Sequence, residues 1–166
     1  VTVTIADPIA ALLAECARYA KVVEATPNRG VEIDYWVREA GLDPAGRFPW
    51  CMAFVSAVGR QAVGAAWPLP RLAGVQLMVD HANAAGLLPV ETPAIGDLLV
   101  VWHEEQQRFA HVGVVAEVKD GLFRSWEGNT NDNGSREGTR VLLQKPRRPG
   151  PRFKFVRWTA LLKEVA

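Results

Sequence analysis

Four residues carry side chains suited to nucleophilic catalysis in a usable order: Cys51, His111, Glu127 and Asn129. Cys51 follows Pro49-Trp50 and runs directly into the apolar stretch Met52-Ala53-Phe54-Val55, which predicts the first turn of a helix. Unpaired backbone N–H groups and the macrodipole at such a position favour negative charge, and with it a thiolate. The plain alternative is a small buried hydrophobe, since free cysteine is among the most buried residue types. A cysteine nucleophile also needs a base to take its proton and a third group to orient that base. His103 and His111 flank one loop, but only His111 opens a strand whose hairpin partner brings acids back beside it. His81 has no acid or thiol near it in sequence and reads as structural or exposed.

The chain that must position these groups has 166 residues, enough for one domain with a real core. Almost half of it is hydrophobic and its formal net charge is +1, which points to neither nucleic acid nor a strongly acidic partner. Two cysteines, Cys16 and Cys51, give no zinc spacing and no disulfide framework. No apolar run approaches the ~20 residues of a membrane span.

The first half reads as helices. Asp7-Pro8 is an N-cap followed by proline at the first helical position. Ile9, Leu12, Leu13, Cys16, Ala20 and Val23 then recur at helical spacing, predicting a helix that stops near Thr26-Pro27, with Cys16 as packed core. A second helix is expected over Val31 to Ala40, the Cys51 helix after a loop from Gly41 to Pro49, and a fourth over Ala73 to Ala85.

From Pro93 the texture becomes that of strands: Leu98 to Trp102, His111 to Val118, Leu122 to Glu127, Val141 to Leu143 and Phe153 to Trp158. Gly128 to Gly138 and the basic segment Lys145 to Arg152 read as loops. Helices first and strands later is an α+β order with an antiparallel sheet, the helical half spanning about 7–86 and the strand half about 95–160 of one domain, 1–166.

The site hangs on the register of one hairpin. A three-residue loop of Lys119, Asp120 and Gly121 sets Val118 opposite Leu122 and, counting outward, Gly113 opposite Glu127 and His111 opposite Asn129. His111, Glu127 and Asn129 then share one sheet face. A two-residue Asp-Gly turn shifts the register by one and, without a bulge, sends Glu127 to the other face, while creating a Glu117–Arg124 pair. The three-residue loop, with Gly121 left-handed, is the expectation adopted.

Taken together the motifs resemble those of the CHAP-domain peptidoglycan hydrolases, papain-like cysteine amidases and endopeptidases. They are Asn28-Arg29-Gly30, Pro49-Trp50-Cys51 with Phe54-Val55, Pro93 to Val100, His111 to Val115, and Glu127-Gly128-Asn129-Thr130. The resemblance spans about Asn28 to Trp158, in the family's order. It implies Cys51 as nucleophile, His111 as general base and then acid, Glu127 orienting the imidazole and Asn129 as a fourth polar member. No metal or organic cofactor is implied. The implied substrate is peptidoglycan, met by a monomer at the bacterial cell wall after secretion or phage delivery, with neither nucleic acid nor membrane as partner. A chain filled by one such domain would leave no room for a separate wall-targeting module.

Some members of that family carry an aspartate-rich calcium loop before the nucleophile, but Leu42 to Phe48 offers only Asp43, too few oxygens for a calcium site. Among six tryptophans, Trp50 and Trp126 flank the candidate site and are expected to line a substrate groove, core packing being the commoner use of the rest. Lys145 to Lys154 is read as a solvated basic loop. The competing readings are a cysteine amidase or transferase on a non-wall amide, and a wall-binding module without catalysis.

Overall fold

The computed structural model describes residues 7–131 and 138–162. Helix α1 (Pro8–Arg18) starts where the sequence places it, the Asp7 carboxylate accepting from the N–H groups of Ile9 and Ala10 at 3.0 and 2.9 Å. Leu12 and Cys16 face inward and are fully buried. The helix is shorter than its apolar periodicity suggests. Past Tyr19 the backbone leaves the helix to pair with a sheet edge, Val141 N–H donating to Val22 C=O at 3.0 Å and Glu24 N–H to Thr139 C=O at 2.7 Å. Val23, expected in the core, is 54% exposed as a result.

Helix α2 (Val31–Glu39) buries Ile33, Trp36 and Val37. Arg29 holds its first turn in place through a two-pronged pair with Asp34, at 2.7 and 2.8 Å. Helix α3 (Cys51–Val63) is the axis of the molecule, every residue from Cys51 to Gly59 being buried. A helix apolar on all sides can be satisfied only by packing on all sides. Tyr19, Trp36, Trp50 and Phe54 make edge-on and tilted ring contacts around its first turns. Each fully buried large side chain here stabilises the fold by roughly 1.5–3 kcal/mol relative to exposure. Helix α4 (Val75–Ala84) stops just before Gly86. No helix among the described residues is long and apolar enough to cross a membrane.

The strands β1 (Leu98–His103), β2 (Arg108–Lys119), β3 (Leu122–Thr130), β4 (Arg140–Leu143) and β5 (Phe153–Val156) form one antiparallel sheet in the order β4-β3-β2-β1-β5. The arrangement is α+β, helices first and sheet second, as the sequence order predicts. Strand β5 lies on the far edge beside β1 rather than in a hairpin with β4. Alternation divides the sheet: Leu98, Val100, Val112, Val114 and Val156 join the helical core, whereas Leu99, Val101, Val115, Phe123 and Phe155 build a second cluster.

The β2–β3 turn differs from the three-residue loop expected. Lys119 pairs with Leu122 and Glu117 with Arg124, so the turn is the two-residue Asp120-Gly121, both in the left-handed region at φ 52° and 73°. Glu117 and Arg124 form their ion pair at 3.2 Å. A β-bulge between Val115 and Glu117 then leaves Ala116 unpaired and sets Val115 opposite Ser125 and Val114 opposite Trp126. Continuing the count puts Gly113 opposite Glu127. The bulge restores the face that the tight turn alone would have reversed.

Candidate active site

Cys51 is the first residue of α3 and is 3% exposed. The residue before it, Trp50, supplies no side-chain cap. Its backbone N–H instead reaches the Asn129 Oδ1 on β3 at 3.4 Å, a contact that ties the start of the nucleophile helix to the sheet. Asn129 is buried and adopts φ 55°, in the left-handed region.

His111 on β2 is buried, and its Nε2 lies 2.7 Å from Oε2 of Glu127. Its Nδ1 is buried and meets the strict geometry of a hydrogen bond with no partner, but the Cys51 thiol lies close enough to the ring to interact with it. Burial disfavours the imidazolium, but the Cys51 sulfur and the Glu127 carboxylate beside the ring outweigh it and raise His111 well above the ordinary histidine range. With Nε2 engaged by Glu127, Nδ1 is the nitrogen left to exchange a proton with the thiol.

Glu127 is fully buried, yet it is held well below the usual carboxylate range. Burial pushes the other way; the His111 imidazolium, the Arg147 guanidinium and the Ser125 hydroxyl overcome it. Ser125 Oγ donates to Glu127 Oε1 at 2.7 Å, and Arg147 Nη2 donates to the same oxygen. The carboxylate can lie across β2 because Gly113 has no side chain. A Cβ there would stand 2.6 Å from Glu127 Cγ and 2.8 Å from the Trp126 carbonyl oxygen. Gly128 does the same for the helix, since a Cβ on it would meet the Trp50 ring at 2.7 Å.

The four predicted residues Cys51, His111, Glu127 and Asn129 thus converge on the junction of α3 with β2 and β3. Trp50 does not play the part expected of it. Trp50 is fully buried against Trp36, its Nε1 donating to Glu24 at 2.8 Å, so it supports the helix start from inside. Trp126 is half-buried and packs on the helix-side core. The basic segment Lys145 to Lys154 is likewise more than a solvated loop, because Arg147 turns inward and Lys154 lies in β5. Ser125 and Arg147 were missed, whereas Gly113 was expected opposite Glu127 but not as the space its carboxylate needs. Ser125 lies two residues before Glu127 on the same strand face, a readable signal; the reach of Arg147 had none.

A cleft of about 510 Å³ opens beside Cys51. Leu42, Phe48, Leu77 and Phe109 give it apolar walls, and its described lining carries two guanidiniums, Arg71 and Arg108, with no carboxylate. Asp43, on the loop before Cys51, uses its carboxylate to accept from Ala45 N–H at 2.9 Å. Among the described residues no group of three or more His, Cys, Asp or Glu side chains could hold a metal ion.

The model of the CHAP domain matches residues 43–129, more than half of the chain. The chain belongs to the CHAP-domain family. CHAP domains are cysteine- and histidine-dependent amidases or peptidases, a family associated with peptidoglycan. The matched segment of this CHAP domain holds Cys51, His111, Glu127 and Asn129, and ends before β4 and Arg147. No curated protein matches the chain.

Proposed function

We propose that the protein is a peptidoglycan hydrolase that cuts an amide of the stem peptide, its crossbridge or the glycan–peptide junction through a cysteine thioester. The observation that supports this reading is the buried series Cys51, His111 and Glu127, in which a thiol and a carboxylate flank one imidazole. Removing charged groups from water is costly, so such a series survives only where each charge is matched.

The Cys51 thiolate attacks the amide carbonyl carbon, and the oxyanion accepts from backbone N–H groups at the start of α3, that of Cys51 first. His111 gives its proton to the nitrogen as the C–N bond breaks, releasing the amine and leaving a thioester. Neutral His111 then takes a proton from water, the hydroxide attacks the thioester carbonyl, and the C–S bond breaks to regenerate the thiolate–imidazolium pair. Glu127 holds the ring through both transfers, and Asn129 fixes the helix start against the strand.

The deciding experiment incubates the protein with purified sacculi of several wall chemotypes and identifies released fragments by mass spectrometry, with Cys51→Ala in parallel. New amino termini on stem or bridge peptides identify an endopeptidase, and muramic acid freed from L-alanine identifies an amidase. No release by the unmutated protein from any chemotype overturns the proposal.

A further inference from the structure

Glu127 presents two oxygens to two different neighbours. Oε2 meets His111, while Oε1 takes Ser125 Oγ and Arg147 Nη2. Arg147 lies outside the segment matched to the CHAP family and comes from the basic stretch after β4. Its placement is over-determined. The backbone pairs with Phe123 in both directions at 2.9 Å, which adds a bridge to β3 past the end of β4. From there the side chain runs along the strand face that carries Phe123, Ser125 and Glu127 in alternation. Its guanidinium stands 5.1 Å from the Phe123 ring centroid and 5.4 Å from that of Phe153, donates to Ser125 Oγ at 2.6 Å, and ends on Glu127.

We propose that Arg147 is a positioning residue for the reaction, a permanent counter-charge that keeps Glu127 ionised and turned toward His111 while the imidazole loses and regains its proton. This rests on the reading of Cys51, His111 and Glu127 as a catalytic series. The need for it follows from the proton cycle. When His111 is an imidazolium, the buried Glu127 anion has a cation beside it. Once His111 has given its proton to the leaving amine, that cation is gone. A fully buried carboxylate then either bears an unmatched charge or takes up a proton, and in both cases the ring loses its orientation. A guanidinium is not deprotonated in proteins, so Arg147 balances Glu127 in both halves of the cycle. Its bond to Oε1, shared with Ser125, also fixes the carboxylate plane, so that Oε2 points at Nε2.

The charged and titratable groups around Glu127 are His111 from β2, with Cys51 from α3 behind it, and Arg147 from the stretch after β4; Ser125 is the polar neighbour on β3 itself. Removing the cation must therefore favour protonation of both Glu127 and His111.

The test is an NMR titration of the His111 ring, which also reports ionisation of the carboxylate bonded to it and needs no wall substrate. It compares the unmutated protein with Arg147→Met, which keeps a stem against the phenyl rings, and Arg147→Lys, which keeps the charge. In Arg147→Met both inflections should move to higher pH, that of Glu127 by about one unit or more. In Arg147→Lys they should stay near their original positions. On any cleaved substrate, kcat should fall in Arg147→Met with KM little changed. Unmoved inflections in Arg147→Met, with only a lower melting temperature, would show that Arg147 merely packs and would overturn the proposal. Should Arg147→Met not fold, Arg147→Gln takes its place by the same criteria: inflections moved to higher pH support the proposal, and unmoved inflections overturn it. Shifted inflections in a protein that releases nothing from sacculi would uphold the role of Arg147 toward Glu127 while removing the wall reading.

Discussion

His111 Nε2 and Glu127 Oε2 stand 2.7 Å apart inside the protein, on two neighbouring strands brought into register by a single unpaired residue, Ala116. In the proposed mechanism this contact lets Glu127 set the tautomer and plane of the imidazole. Glu127→Gln keeps the shape and removes the charge, so kcat should drop by about 10²–10⁴-fold, as expected when an orienting acid of a triad is neutralised. Steady-state rates on a cleaved wall fragment measure it, and a change under threefold would contradict the role.

The two cysteines should differ sharply in reactivity. Cys16 is fully buried on α1, and burial pushes its thiol up and away from the reactive thiolate. Cys51 borders the cleft. Native protein treated with iodoacetamide should gain one adduct by intact mass, located at Cys51, and lose activity; unfolded protein should gain two. EDTA should leave activity unchanged, and loss in EDTA restored by calcium would reverse the reading of the Leu42 to Phe48 loop.

Gly113→Ala should be damaging out of proportion to its size. The new methyl would meet Glu127 Cγ at 2.6 Å and the backbone oxygen of Trp126 at 2.8 Å, and the latter cannot rotate away. Overpacking of this kind costs about 1–3 kcal/mol. A lower midpoint in denaturant together with lost activity is expected, whereas a fully active, equally stable variant would mean that Glu127 does not need the space.

Stability should depend on pH from both sides. Glu127 is lowered in the folded state, chiefly by His111 and Arg147 against its burial, so its contribution is complete above the ordinary carboxylate value of 4.5 and is lost as pH falls below it. His111 is raised despite burial, by Cys51 and Glu127, so its contribution is complete below the ordinary value of 6.5 and is lost as pH rises toward its raised folded value. The pair should thus stabilise most between these limits. Melting temperature against pH should show a dome that flattens in Glu127→Gln, and identical curves would argue against the shifts.

The cleft lining makes a charge prediction. The described lining holds Arg71 and Arg108 and no carboxylate, Arg71 being paired at 3.8 Å with Glu39, which is not part of that lining. Anionic iodoacetate should therefore alkylate Cys51 faster, relative to iodoacetamide, than in the double variant Arg71→Gln/Arg108→Gln. The advantage should shrink with added salt. An unchanged ratio would show that the two guanidiniums do not act on the cleft.

Much of this protein is written locally. The Asp7-Pro8 cap, the helix beginning at Cys51, the apolar run of β1 and the order of helices before strands follow from propensity, capping and periodicity, which involve neighbours a few residues apart. That Cys51, His111, Glu127 and Asn129 come together was legible too, from the resemblance to the CHAP motifs and from the alternation of side chains along the hairpin. What only the tertiary structure decided is how they meet. A tight Asp120-Gly121 turn with the Glu117–Arg124 pair and a shared face for His111 and Glu127 demand registers that differ by one. Ala116 satisfies both by dropping out of the ladder. No local rule places a bulge, since its cost is offset by contacts at both ends of the hairpin at once. The burial of Trp50 and the inward turn of Arg147 are of the same kind. Each depends on which surface the chain brings opposite, and that is settled only when helix and sheet close on one another.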